Sequence, residues 1–425
     1  MEIIIKPSKL KGEVNIPPSK SLSHRAIIAA SLSNGISEIE NIILSDDIKA
    51  TIEAMKNFGV EINKEKIENR YKLAIKGKDK FELNNNVINC NESGSTLRFL
   101  IPFFSLVNDE VIFTGENKLI ERPLETYYKI FDENRIEYSN DFGKLPLKIS
   151  GSLKSGIYEV DGDISSQFIT GLMFILPILD GDSEIVINKE LESKSYIDLT
   201  LNILKRFGII IKNNNYKNFI IKGNQKYISN NYKVEGDYSQ ASFWIVSNLL
   251  GNNIIIKDLN EYSIQGDKVI LKIIKKMGAD YKFEGNNLIV LNKNNLKNIE
   301  IDAKDCPDLV PILSVLASFA DGKCRIYNAK RLRFKESDRL KAISSQINLL
   351  GGKIIEVDDG LEIYPVKDLI GGNVESWNDH RIAMALTIIS TKIKDNIYLS
   401  NAEAINKSYP EFYNDFKKLG GKIYV

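Results

Sequence analysis

Histidine is nearly absent from this chain: His24 and His380 are the only two in 425 residues. Cysteine is almost as scarce, with Cys90, Cys306 and Cys324. An odd number of thiols without metal-site spacing excludes a disulfide scaffold and offers no zinc motif; it suits reduced thiols and a cytoplasmic protein. An excess of either charge is missing too, since 57 Lys and Arg stand against 56 Asp and Glu. So even a balance gives no broad basic surface for nucleic acid. No apolar run is long enough for a membrane span; a long candidate, residues 168–179, contains Pro177 and is followed by Asp180. The opening segment Met1-Glu2-Ile3-Ile4-Ile5-Lys6 reads as a first strand, too short and wrongly flanked for a signal peptide. What remains is a mixed globular composition, 43% hydrophobic and 27% charged, on a chain too long for one ordinary core and suited to two domains.

Against this neutral background, basic residues gather in a few short segments. Pro18-Ser19-Lys20-Ser21-Leu22-Ser23-His24-Arg25 packs two cations, a histidine and three hydroxyls into eight residues. Such a set can hold a small polyanion, with Lys as a point charge, Arg as a two-pronged donor and hydroxyls on the remaining oxygens. Pro17 and Pro18 stiffen the approach and argue against a strand interior. Ser21 is placed to cap a helix over residues 26–32, which sets the cations near a helix N-terminus, where anions bind. Alone, the stretch reads equally as an exposed, capped helix start. Four further segments repeat the mixture: Glu92-Ser93-Gly94-Ser95-Thr96-Leu97-Arg98, Glu121-Arg122-Pro123, the run 331–339 containing Arg333, Lys335, Glu336 and Arg339, and Asn378-Asp379-His380-Arg381. Each of the two histidines directly precedes an arginine in one of these five segments. Local cation clusters on a neutral chain point to a small anionic ligand.

A second pattern runs the length of the chain. An amphipathic helix, a small-residue turn and an alternating strand recur six times, over 51–62, 127–138, from 201 to the turn at Gly208, and over 270–281, 343–355 and 412–425. Apolar residues lie three and four apart before each turn and two apart after it. The turns carry Gly59, Gly208, Gly278, Gly351-Gly352 and Gly420-Gly421, where a helix would end in a left-handed residue; the second copy has Asn134-Arg135 instead. The spacing is about 70 residues, longer than a solenoid unit. Helix, glycine and strand in succession are common in any α/β protein, and it is the even repetition that implies six units, three to a domain, with sheets outside and helices buried. Asn84-Asn85-Asn86, Asn213-Asn214-Asn215 and the stretch 292–298 read as solvated turns.

Six repeats and five segments, in this order and spacing over essentially the whole chain, resemble the 5-enolpyruvylshikimate-3-phosphate synthase (3-phosphoshikimate 1-carboxyvinyltransferase) family. The resemblance implies an α/β, two-domain enolpyruvyl transferase-like fold of six helix/sheet units. It implies a discontinuous domain of residues 1–18 and 236–425, which takes in the first strand, and a second domain of 19–235. Two hinge strands would lie near 16–20 and 234–240, and the domains would close on substrate like a clamp. The implied reaction moves the enolpyruvyl group of phosphoenolpyruvate to the 5-hydroxyl of shikimate 3-phosphate and releases phosphate, on the route to chorismate and aromatic amino acids. No metal or organic cofactor, nucleic acid or membrane is implied; a monomer is, and competition by glyphosate with phosphoenolpyruvate.

Carried over residue by residue, the resemblance gives Lys20 contacts to both substrates and a part in phosphate departure. Ser21 and Arg25 would bind the shikimate side. Ser165 and Ser166 would bind the 3-phosphate, Gln167 would sit between the substrates, and Ser193 and Tyr196 match another phosphate-side segment. Gly94, Arg122, Arg339, Arg381 and Lys407 would line the phosphoenolpyruvate pocket. Asp308 would hold and deprotonate the 5-hydroxyl, Glu336 would exchange the methylene proton, and Lys335 would contact the shikimate phosphate or ring hydroxyls. One position departs from the pattern: Glu92 stands where the glycine-rich motif usually has Asn. An ionised Glu only accepts hydrogen bonds and adds negative charge beside anionic substrates, so it suits pairing with a nearby Arg better than touching substrate.

Several positions in these segments also have a plainer reading. Asp308 could cap a helix over 309–319. Glu336 could belong to a surface salt-bridge face. His380 could be a core histidine whose tautomer Asp379 fixes. Ser165 and Ser166 could form a polar turn after Gly162, and Lys407 could be an exposed loop lysine. Three other functions are weighed. The sister enzyme that acts on UDP-N-acetylglucosamine shares the fold but usually has a Cys ahead of the Arg-Pro dipeptide, and residues 115–121 have none. A catalytically dead phosphoanion-binding protein would not need Asp308, Glu336 and Lys20 together. A nucleic-acid module would interleave aromatic side chains with its basic segments, and these do not.

Overall fold

The structure is a computed structural model that describes residues 1–291 and 295–425. The front of the 292–298 turn therefore lies outside the described residues. The chain divides into two compact units, Met1–Ser19 with Glu235–Val425, and Lys20–Val234.

Among the described residues the strands form six four-stranded sheets. Each follows one plan: a parallel pair joined to an antiparallel pair, which in five of the six sheets is a hairpin. In the Lys20–Val234 unit, Val87–Asn89 runs parallel to Val111–Thr114, which pairs antiparallel with Lys144–Ser150 and through it reaches Glu137–Asp141. Ile157–Asp161, Ser183–Asn188, Asn218–Ile221 and Ile211–Asn214 repeat this, as do Tyr232–Lys233, Gly35–Ile42, Arg70–Gly77 and Glu61–Ile67. In the other unit two of the three sheets borrow a strand from the start of the chain. Lys11–Asn15 runs parallel to Asn253–Lys257, and Glu2–Lys6 lies between Ile397–Ser400 and Lys422–Tyr424, antiparallel to both.

The strands alternate in burial, as Lys144–Ser150 does, so one face of each sheet meets the core. The central helices carry apolar and small residues on every side, with few charges, and are enclosed accordingly. Every residue of Tyr238–Leu249, Val310–Ala317 and His380–Ile389 is buried, and these three helices pack on one another. In the Lys20–Val234 unit, Ser166–Ile175 packs on Gly94–Leu100 and on Lys194–Arg206, which also meets Lys20–Ser31. The apolar segment 168–179 is part of this interior: a helix to Ile175 and a tighter turn at Leu176–Ile178, where Pro177 ends the α-helical ladder. The fold thus sets helix N-termini, with their polar and charged residues, at the ends of buried apolar helices.

Candidate active site

In the Lys20–Val234 unit the basic segment is itself helical. The helix is Lys20–Ser31, so Ser21 lies in its first turn and does not cap a later one. Leu22, His24 and Arg25 are buried against the core, which starts the helix six residues before the apolar run does. Lys20 Nζ meets Asp47 Oδ2 at 2.6 Å, and Asp47 belongs to the first turn of the next helix, Asp46–Asn57. The Arg25 guanidinium donates to Thr200 Oγ1 at 2.9 Å, to the Ser21 carbonyl at 2.8 Å and to the Tyr196 carbonyl at 3.2 Å. It also lies 4.9 Å from the Phe99 ring. Burial pulls its pKa down to about 10, which still leaves it charged. His24 is held well below its ordinary pKa by burial, with Lys20 and Arg25 adding to the effect, and is neutral. Its Nδ1 pairs with Thr51 Oγ1 at 2.7 Å, Thr51 with Thr96 Oγ1 at 2.7 Å, and Thr96 donates to Ser93 Oγ at 2.8 Å.

That hydroxyl chain ends at the glycine-rich segment. Ser93 caps the helix Gly94–Leu100 by accepting from the Thr96 amide at 3.1 Å. A Cβ at residue 94 would lie 2.5 Å from an Arg122 terminal nitrogen and 3.7 Å from Gln167 Oε1, so Gly94, Arg122 and Gln167 converge. Arg98 organises them. Its guanidinium donates to Gln167 Oε1 at 2.9 Å and to the Pro123 carbonyl at 3.1 Å, while Gln167 Nε2 donates to Ser95 Oγ at 3.0 Å. Ser165 accepts from the Gln167 amide at 3.3 Å and caps the helix that Ser166 opens; it is more than a polar turn. Ser193 is buried with φ at +56°, directly before the helix that carries Tyr196. Glu92 accepts from the Asn117 side chain at 3.2 Å.

The other unit holds a second cluster, centred on Arg339. Its side chain is 1% exposed and touches three carboxylates. Nε donates to Asp379 Oδ2 at 2.8 Å, one terminal nitrogen to Asp308 Oδ1 at 2.8 Å, and the other to Glu336 Oε2 at 2.6 Å and Asp379 Oδ1 at 3.4 Å. Arg381 takes the second oxygen of Asp308 at 3.0 Å and its carbonyl at 3.2 Å. Lys335 Nζ is 3.9 Å from Asp308. Burial draws Lys335 down to about 8, against the pull of Asp308. Burial alone would raise Asp308, but Arg381, Lys335 and Arg339 outweigh it and hold this carboxyl well below the usual range. Lys407 is buried and donates to the Asn378 carbonyl at 2.6 Å.

Several plainer readings give way here. Asp308 sits inside the short turn Pro307–Leu309 and binds arginines instead of capping the helix Val310–Ala317. Glu336 belongs to a partly buried ion pair, because Arg339 enters the core and needs counter-charges there. His380 is a buried core histidine, as that reading had it, but Asp379 stands 3.9 Å from its Nδ1 and directs its oxygens to Arg339, to Ser337 at 3.1 Å and to the Arg381 amide at 2.9 Å. Lys407 is no loop-surface lysine.

A family model described as EPSP synthase (3-phosphoshikimate 1-carboxyvinyltransferase) matches residues 4–416. The chain belongs to the EPSP synthase family. Among its relatives, the 3-phosphoshikimate 1-carboxyvinyltransferase of Clostridium novyi (strain NT) is 54% identical over 99% of this chain and 98% of that protein. Those of Clostridium kluyveri and Clostridium beijerinckii are 50% and 52% identical, each over at least 97% of both proteins. The solved EPSP synthase of Acinetobacter baumannii has the same fold, with a TM-score of 0.81 at 24% identity over the whole of both chains. The six-sheet, mixed α/β architecture is that of the EPSP synthase family.

Sequence reading missed three acids in these clusters. Asp47 looks like an ordinary acid in the first turn of a helix, and only the fold shows that Lys20 reaches it. Asp379 was linked to its neighbour His380, while its partner Arg339 lies 40 residues away. Asp267 gave no signal: it is buried, and its pKa rises to about 7, first through burial and then through Asp308, against Arg381.

Proposed function

We propose that the protein transfers the enolpyruvyl group of phosphoenolpyruvate to the 5-hydroxyl of shikimate 3-phosphate, releasing phosphate, as its EPSP synthase relatives are named for doing. The observation that carries this reading is the Arg339 cluster: two arginines and a lysine hold two carboxylates, Asp308 and Glu336, in one partly buried group. The reaction needs both kinds of residue. Two phosphorylated, carboxylated substrates require fixed cations, and the two proton transfers require carboxylates.

The 5-hydroxyl oxygen attacks C2 of phosphoenolpyruvate. Asp308 takes the hydroxyl proton, while Glu336 delivers a proton to the methylene, making a methyl. In the second half Glu336 takes back a methyl proton, the double bond re-forms as the C–O bond to phosphate breaks, Lys20 assists the departure of phosphate, and the hydroxyl proton held by Asp308 passes to the departing phosphate or to solvent. Phosphoenolpyruvate falls to Arg122, with Gly94 and Gln167, in one unit and to Arg339, Arg381 and Lys407 in the other. Ser21, Arg25, Ser165, Ser166, Ser193, Tyr196 and Lys335 hold shikimate 3-phosphate.

The test is to incubate the pure protein with both substrates and follow phosphate release and the enolpyruvyl product. Formation of 5-enolpyruvylshikimate 3-phosphate is the expected result. Product only with UDP-N-acetylglucosamine as acceptor would assign the sister reaction, and no product with either acceptor would leave a binding protein without chemistry.

A further inference from the structure

The side chains of the Arg339 cluster bond one another. A guanidinium offers five N–H donors, and Arg339 makes four hydrogen bonds to carboxylate oxygens. Arg381 reaches both a carboxylate oxygen and the carbonyl of Asp308. Charge is balanced as well: Asp308, Glu336 and Asp379 face Arg339, Arg381 and Lys335. Asp308 is the residue that bridges the two arginines, one oxygen to each, at 2.8 and 3.0 Å. A ligand carboxylate or phosphate gripped by both arginines would adopt the same arrangement.

Resting on the function proposed above, we propose that Asp308 occupies, in the free protein, the anion site formed by Arg339 and Arg381, and that phosphoenolpyruvate enters by displacing this carboxylate. Displacement also prepares Asp308 for its chemistry. While both arginines hold it, its lone pairs are engaged and it is a poor proton acceptor. Once they turn to the ligand, two of the three cations that hold its pKa down are gone; burial and the neighbouring carboxylates Glu336 and Asp267 then raise Asp308 against Lys335 alone, strengthening it as a base. The base is thus armed by the arrival of the substrate whose reaction needs it.

The experiment is calorimetric titration of phosphoenolpyruvate alone into wild type, Asp308→Asn, Asp308→Ala and Glu356→Gln. The last removes one negative charge beside Arg333 and leaves the Arg339–Arg381 pair intact. The expected result is binding at least tenfold tighter in both Asp308 variants and unchanged in Glu356→Gln. Equal or weaker binding in the Asp308 variants, or the same gain in Glu356→Gln, overturns the proposal. Should the Asp308 variants fail to melt cooperatively, a crystal structure of wild type with phosphoenolpyruvate decides: Asp308 out of hydrogen-bond reach of Arg381 supports displacement, and the pair intact overturns it. Wild-type product formation without these effects would defeat this inference alone, whereas a wild type that neither turns over nor binds phosphoenolpyruvate would defeat the proposed function with it.

Discussion

A guanidinium as deeply buried as that of Arg339 persists only because carboxylates surround it; removing one partner of such a pair typically costs about 3–5 kcal/mol. Glu336 therefore has both a structural and a chemical part, and substitution separates them. Glu336→Gln keeps the shape and an acceptor for Arg339 but cannot exchange a proton. It should bind both substrates nearly as wild type does while turnover falls by about 10²–10⁴. Comparison of titration with single-turnover rates checks this; equal losses in binding and turnover would make Glu336 a positioning residue. Lys335 gives a pH effect of definite sign. Burial lowers its pKa to about 8, so it loses its charge as pH rises through that value. Affinity for shikimate 3-phosphate should then weaken above about pH 8, and Lys335→Arg, charged throughout, should remove that limb. A limb that persists in the arginine variant would assign the titration elsewhere.

The elements were readable to different depths. The helix–turn–strand repeat was legible because a left-handed helix end leaves a local mark: Gly59, Gly208, Gly278, Gly351 and Gly420 all have positive φ, and Arg135, in the copy without glycine, takes φ +54° in the same role. Strand partners were not legible. Nothing near Glu2–Lys6 says that it pairs with residues almost four hundred positions away, because pairing is decided by which apolar faces the helices leave to be covered. The same limit hid the Arg339 cluster, whose acids come from residues 308, 336 and 379. Helix contact also explains a glycine outside any motif. A Cβ at Gly171 would lie 2.3 Å from Tyr127 Oη and 2.4 Å from the Arg98 carbonyl, both fixed in the core. Gly171→Ala should destabilise by about 1–3 kcal/mol, while Gly372→Ala, with 3.8 Å to its nearest neighbour, should not. Thermal melts of the two variants check the difference, and a Gly171→Ala protein as stable as wild type would show that these helices have room to part.

At the scale of the molecule the core is divided as the chain is. One apolar cluster uses residues from 22 to 234 only, and the three sheets of that unit draw every strand from the same span. The segment 20–234 expressed alone should therefore fold and melt in one cooperative transition, seen by calorimetry and near-ultraviolet circular dichroism. A segment with helical signal but no fixed aromatic environment would refute this.

The other unit cannot be assembled in the order in which it is made. Glu2–Lys6 leaves the ribosome nearly four hundred residues before the two strands that flank it, Ile397–Ser400 and Lys422–Tyr424. Through nearly all of translation, Ile3 and Ile5, which the finished protein buries completely or almost so, have no sheet to join. A nascent chain in this condition displays an adhesive edge that invites the wrong partner. A reordered gene, starting at residue 20 and carrying residues 1–19 behind Val425, would deliver that strand together with its neighbours.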